Sequence, residues 1–224
     1  MSIRADIRQM SLPGWMIYAI DRTFDAISGG RLRLTVADFY LQPLGPIARV
    51  PSVTDESIRV GPISREEADP AQMARRAEVL DDRFGSGSTC IAAMRGEEIQ
   101  GFMWLHFSPL HDKDLRLVLA AADDTGLAWD YDMFIQPKYR LGRTFSRLWE
   151  AAQLELIRKG RRGTLSWIRI ENGASRRAHI RLGATRVGRA VMLAVSQWQI
   201  TISSMRPWIS VSRPGRPGSL FVRE

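Results

Sequence analysis

The sequence predicts an α/β (α+β) fold, a central mixed, mostly antiparallel sheet flanked by helices, and three observations carry the prediction. An apolar strand, Leu127–Ile135, runs into a turn rich in arginine and then into a helix; a second such unit follows at Thr164–Ala184; and ahead of both lies an apolar hairpin, Cys90–Phe107. Strands alternating with helices after a run of adjacent strands bury a sheet under helices.

Taken in order, residues 13–28 predict a helix that opens at Pro13, presents Trp15, Tyr18, Ala19 and Phe24, and stops at Ser28-Gly29-Gly30. Arg31–Leu41 alternates Leu32, Leu34 and Val36 with Arg31, Arg33 and Thr35, a strand with one wet face. Pro43, Gly45, Pro46 and Pro51 make an irregular connection, and Ser57–Ile63 reads as a short strand. Asp69-Pro70 caps one helix with Met73, Ala77, Leu80 and Phe84 on a single face, ended by Gly85.

The hairpin turns at Arg95-Gly96-Glu97-Glu98. A polar loop, His111–Asp114, leads to a strand at Leu115–Ala122 and a turn at Asp123–Gly126. From Phe145 the apolar positions Leu148, Trp149, Ala152 and Leu156 keep helical spacing, so a helix starts near Thr144 and ends at Gly160. Asn172 is a plausible N-cap for a shorter helix that Gly183 terminates. Thr185–Val195 and Trp198–Ile202 read as two last strands, the second alternating Gln197, Gln199 and Thr201 with Trp198, Ile200 and Ile202. Beyond Arg206, proline, glycine and arginine predict a tail that buries little.

Ahead of the helix at Thr144, Lys138, Arg140, Gly142 and Arg143 surround its first N–H groups, where free donors and the helix dipole favour an oxyanion. This stretch and the segment Glu171–Ala184 together resemble the donor half of the GNAT superfamily of N-acyltransferases. That family follows a strand with an Arg-Gly-x-Gly-x-Gly/Ala loop and a helix, and a further strand with Asn-x-x-Ala/Ser, a tyrosine seven residues after the Asn and a glycine four beyond. Asn172, Ser175, His179 and Gly183 keep the second spacing, with histidine at the tyrosine position. In the first motif the glycine positions fall on Leu141, Arg143 and Phe145, and Gly142 is displaced by one. The tight loop Tyr139–Phe145 is similar to that of a subgroup with long N-terminal extensions.

The resemblance implies an N-acyltransferase that moves an acyl group from acetyl-CoA, another acyl-CoA or an acyl carrier protein to an amine of a small molecule or protein. It implies a donor site at Phe134, Ile135, Arg140, Leu141, Gly142, Arg143, Thr144, Asn172 and Ser175, with His179 as general acid for the leaving thiolate. Residues 1–60 are then an N-terminal extension packed on the core, 61–205 the acyltransferase domain and 206–224 the tail.

Such a transfer needs a base for the attacking amine. Asp130 and Asp132, two apart on the strand before the loop, are expected on one face, where each carboxylate raises the other's pKa. A wet rim or an arginine pair is the commoner fate of such residues. Asp112 and Asp114 are weaker candidates, being in a polar loop.

Composition narrows the alternatives. Cys90 stands alone and His106, His111 and His179 lack ligand spacing, so neither a disulfide framework nor a metal site is expected. No apolar run reaches the ~18 residues of a membrane span, no signal-peptide cleavage site follows the first residues, and a cytoplasmic location is the expectation. Residues 1–135 hold 14 basic and 20 acidic side chains, and residues 136–224 hold 18 and 4. That basic half suits a phosphorylated cofactor or an acidic carrier protein; without a nucleic-acid module or a stacking platform it argues against nucleic acid. The alternative function is a non-catalytic module of the same fold that holds an anionic partner, carrier protein or nucleic acid, with the basic half. Edge strands leave a homodimer open.

Overall fold

A computed structural model describes residues 10–45, 57–121, 126–140 and 142–223. The first nine residues, the connection at 46–56 with Pro46 and Pro51, and all but Gly126 of the turn expected at Asp123–Gly126 lie outside them. The fold class is the expected one, helices and a large, mostly antiparallel sheet. The chain divides into two compact units: 1–43, 109–125 and 165–224 in the first, 44–108 and 126–164 in the second.

In the first unit, helix α1 (Leu12–Ser28) begins where the Ser11 hydroxyl accepts from the Gly14 N–H and Pro13 occupies the first turn. Gly29 ends it at φ 60°, a left-handed geometry that side chains resist. The helix packs on strand β1 (Leu32–Pro43).

Strands β8 (Gly163–Arg169, mostly in this unit), β9 (Thr185–Val195), β10 (Trp198–Ser203) and β11 (Ile209–Ser212) complete the order β11-β10-β9-β1-β8. Helix α5 (Gly173–Arg181) follows β8. A smaller sheet has the order β12-β6-β5, made of β5 (Leu110–Asp112), β6 (Leu117–Ala121) and β12 (Gly218–Val222).

The segment after Arg206 corrects the expectation of a loose tail. It forms β11, paired antiparallel with β10, and β12, paired parallel with β6, and it buries Leu220 and Val222. Its prolines stand at 207, 214 and 217, outside both strands, and its alternating Leu220 and Val222 supply the apolar face.

The second unit holds β2 (Ile58–Ile63), α2 (Pro70–Met73), α3 (Ala77–Gly85), β3 (Thr89–Arg95), β4 (Glu98–His106), β7 (Leu127–Ile135) and α4 (Thr144–Arg158), with strands in the order β7-β4-β3-β2. The single helix expected from Asp69 to Phe84 is two. Ala74 takes φ 52°, and the chain restarts as α3 at Ala77. Helix α4 starts at Thr144 as expected, burying Leu148, Trp149, Ala152 and Leu156 against β2, β3 and β4.

Asp21 is the buried polar anchor between α1 and β1. It accepts from Arg33 Nε and Nη2 and from the Leu34 N–H, each at 2.9 Å. Burial pushes its pKa up, but the Arg33 bonds and the Leu34 amide hold it below the ordinary aspartate value.

Asp21→Ala, which strands a guanidinium and an amide, should cost roughly 2 kcal/mol in urea unfolding at pH 7. Because the folded pKa is depressed, this contribution is present above the ordinary aspartate pKa and lost as pH falls through the folded value. The gap between parent and variant should therefore close in acid.

Candidate functional site

The strand β7 is where chemistry-bearing residues gather, and its geometry departs from simple alternation. Pairing with β4 shifts register between Phe102 and Trp104, and Asp132 stands at φ 48°. This is a β-bulge, with an extra residue of β7 against β4. Its first half, Leu127–Asp130, is buried, and Tyr131–Ile135 is half-buried. Gly101 lets the partner strand come close, since a Cβ there would stand 2.9 Å from the Phe134 carbonyl oxygen.

The bulge separates the two carboxylates. Asp130 is buried and accepts from Thr164 Oγ1 at 2.6 Å. Asp132 accepts from Arg75 Nε at 2.8 Å and pairs further with Arg75 Nη2 and Arg83 Nη1. The Arg83 guanidinium also lies 5.2 Å from the Tyr131 and Trp104 ring centres. Asp132 thus shares its cation with Tyr131, its neighbour in sequence, and the expectation that it shares a face with Asp130 is corrected: the left-handed residue breaks the period of two.

A hydrogen-bonded chain runs beside this point. The Tyr131 hydroxyl donates to Ser88 Oγ at 2.9 Å, Ser88 Oγ lies 2.9 Å from His106 Nδ1, and His106 Nε2 lies 2.8 Å from Ser108 Oγ. Since Ser88 Oγ accepts from the phenol, its own proton is available for donation along the chain. Burial pushes the Tyr131 phenol up to about 12, against the opposing pull of the Ser88 bond. Cys90, buried nearby on β3, has its thiol pushed up by burial, which disfavours the thiolate.

After Ile135 the chain turns through Pro137–Tyr139 into the start of α4. Arg143 occupies the N-cap position with no side-chain cap, and Arg140, Gly142 and Arg143 are exposed. Arg140 Nε donates to the Ile135 carbonyl at 3.0 Å, its guanidinium 5.9 Å from the Phe134 ring centre. Thr144 is buried. Lys138 pairs with Glu98, which also accepts from the Tyr139 hydroxyl at 2.8 Å. Leu141 lies outside the described residues.

Asp130, Asp132, Phe134, Ile135 and Arg140–Thr144 therefore fall in the second unit; Asn172, Ser175 and His179 fall in the first. Asn172 is the N-cap of α5, its Oδ1 accepting from the Ser175 N–H at 3.1 Å. His179 is buried, with Nδ1 2.9 Å from the Ser175 carbonyl oxygen. Also in that unit, Asp112 accepts from the Leu115 N–H and Trp167 Nε1, and burial raises its pKa. Arg75, Arg83, Ser88, Tyr131 and His106 are the residues that sequence reasoning missed.

No protein-family model and no curated protein matches the chain. Solved structures do. A Drosophila protein matches over 83% of this chain and 58% of its own, at 13% identity and a TM-score of 0.50. A conserved Staphylococcus epidermidis protein of unknown function matches over 77% and 66%, at 10% identity and 0.50. A protein named as a GNAT-family acetyltransferase, from Novosphingobium aromaticivorans, matches over 73% and 66%, at 13% identity and 0.49. The chain thus spans 58% to 66% of the length of these structures. At such identities the likeness is one of fold.

Asp132 yields a graded prediction. Asn tolerates the left-handed conformation and keeps one acceptor, whereas Ala adds backbone strain and leaves both guanidinium groups without their carboxylate. Thermal unfolding should rank the parent above Asp132→Asn and that above Asp132→Ala, with the alanine variant about 3 kcal/mol down.

Proposed function

We propose that this protein is an N-acyltransferase of the GNAT type, taking its acyl group from acyl-CoA or an acyl carrier protein and passing it to an amine. The observation that carries the reading is the bulged strand β7, half-buried from Tyr131 onward, which leads through Pro137–Tyr139 into the uncapped N-terminus of α4 among exposed arginines. An extended strand end can offer backbone groups to a thioester carbonyl, and a helix start offers donors to phosphate.

The residues present fit a phosphorylated donor. Arg140 and Arg143 supply charge, the first N–H groups of α4 supply donors, and Gly142 has nothing closer to its missing Cβ than the Tyr139 carbonyl at 3.4 Å. Bound there, the donor supplies the activated thioester. The chain's own work is to hold the phosphates, orient the carbonyl along β7 and take a proton from the amine. For that proton we favour Asp130 over Asp132, since the Asp132 oxygens are engaged by two guanidinium groups. Phe134, Ile135, Asn172 and Ser175 as donor contacts, and His179 as acid, rest on the motif resemblance alone.

A non-catalytic module gripping an anionic partner with its basic half is the competing reading. Calorimetry separates the two. CoA or an acyl-CoA should bind the intact chain, and Arg140→Ala with Arg143→Ala should weaken binding roughly tenfold or more and flatten its salt dependence. Asp130→Asn should lower the rate and shift the pH profile while leaving donor affinity intact. Absence of binding by CoA, acyl-CoA and acyl carrier protein alike would favour the module.

A further inference from the structure

The strands β9, β10 and β11, all in the first unit, share an exposed apolar face, and β10 and β11 are built inside out. Register sets Trp198 opposite Val195, Ile200 opposite Leu193 and Ile202 opposite Val191, and continues from Ile200 to Val211 and Ile202 to Ile209. Residues paired across an antiparallel ladder share a face, and these side chains are 37% to 66% exposed. The opposite face is buried: polar on β10 and β11, with Gln199, Thr201, Ser203 and Ser212, and apolar on β9, with Ala190, Met192 and Ala194.

That polar face has dedicated partners. Gln199 Nε2 donates to the Leu115 carbonyl at 2.6 Å, Ser212 Oγ donates to the Arg116 carbonyl at 2.7 Å and accepts from the Gly218 N–H at 3.0 Å, and Ser203 Oγ accepts from the Met205 N–H at 2.9 Å. Slipping a strand by one residue to bury the apolar set would strand all of these groups, so the outward apolar face is enforced.

We infer that a second copy of this chain covers the face, forming a two-fold homodimer by sheet-on-sheet packing. Aliphatic and tryptophan side chains about half exposed across three strands offer roughly 800 Å² of apolar surface, what each partner contributes to a stable interface and more than a typical monomer leaves bare. The face is pleated, β-branched and free of charge within the ladder, and two such faces interdigitate about 10 Å apart like the halves of a sandwich. A two-fold axis in the plane of the face and across the strands matches the patch to itself. It sets the Trp198 end of one copy against the Trp208 end of the other, and keeps the Arg186, Arg189 and Arg206 end of each copy away from its counterpart.

The test is the mass of the intact protein by analytical ultracentrifugation over a concentration series. The expected species is twice the 25.3 kDa chain. Ile200→Glu, at the centre of the face, and Val211→Glu, beside it, should each weaken the dimer roughly a hundredfold or more, because the two-fold buries the new carboxylate twice. Ile157→Glu, an exposed apolar position on α4, should leave it intact. Circular dichroism of each variant confirms that it is folded. A monomer at concentrations up to about 100 μM, above the range in which interfaces of this size associate, overturns the proposal. So does a dimer that both glutamate variants leave unchanged, or a monomer that co-sediments with phosphatidylserine vesicles through Ile200, which would assign the face to a lipid surface.

Discussion

The ion pair that Asp132 makes with Arg75 and Arg83 is the constraint on which the second unit depends. It joins the sheet to both short helices: Arg83 comes from α3, Arg75 from the link between α2 and α3, and the carboxylate from the middle of β7. Each partner is bent to reach it. Ala74 adopts a left-handed conformation just before Arg75, and Asp132 does the same on the strand. Two backbone strains of about 1 kcal/mol are offset by charge-assisted bonds that lose most of their worth if either side is removed. The bulge lies where β7 passes from buried to half-buried residues, so a stability element and the geometry proposed for acyl transfer share one strand.

This explains where the sequence was legible and where it was not. Local signals were sound: Ser28-Gly29, Asp69-Pro70, Thr144, Asn172 and Gly183 mark ends that the structure places at or beside them. Apolar periodicity picked out the buried face of α4 and the ladder residues of β10. What failed was periodicity across a long-range interaction. Met73, Ala77, Leu80 and Phe84 keep helical spacing although the helix breaks between them, because the break answers to a carboxylate some fifty residues away. The pattern of two likewise extrapolates through Asp132, where the chain does not follow it.

The Ser88–His106 contact shows the same limit at finer scale. The hairpin turn, extended at constant register from the Arg95/Glu98 pair, would bring Ser88 opposite Leu105. A register shift between Ala93 and Met94 moves the pairing by one, to Thr89 opposite Leu105, and so brings Ser88 to His106. Without that bulge the Tyr131 hydroxyl would have no serine to reach through to an imidazole. Neither Ser88 nor His106 belongs to any motif, and each became interesting only through a shift that no local residue preference announces.

Burial also reassigns residue types that composition seemed to settle. A basic, proline-rich C-terminal segment reads as solvated, yet Leu220 and Val222 complete the small sheet while Ser212, Gln199 and Thr201 fill an interior. Polar groups can occupy that interior because loop carbonyls at Leu115 and Arg116 lie within reach of Gln199 and Ser212. Once those bonds fix the register, the hydrophobic effect can no longer turn β10 over, and its isoleucines stay on the outer face of the described residues. The hydrogen bonds thus decide the orientation of the sheet, and the apolar residues, which ordinarily make that choice, are left to decide association.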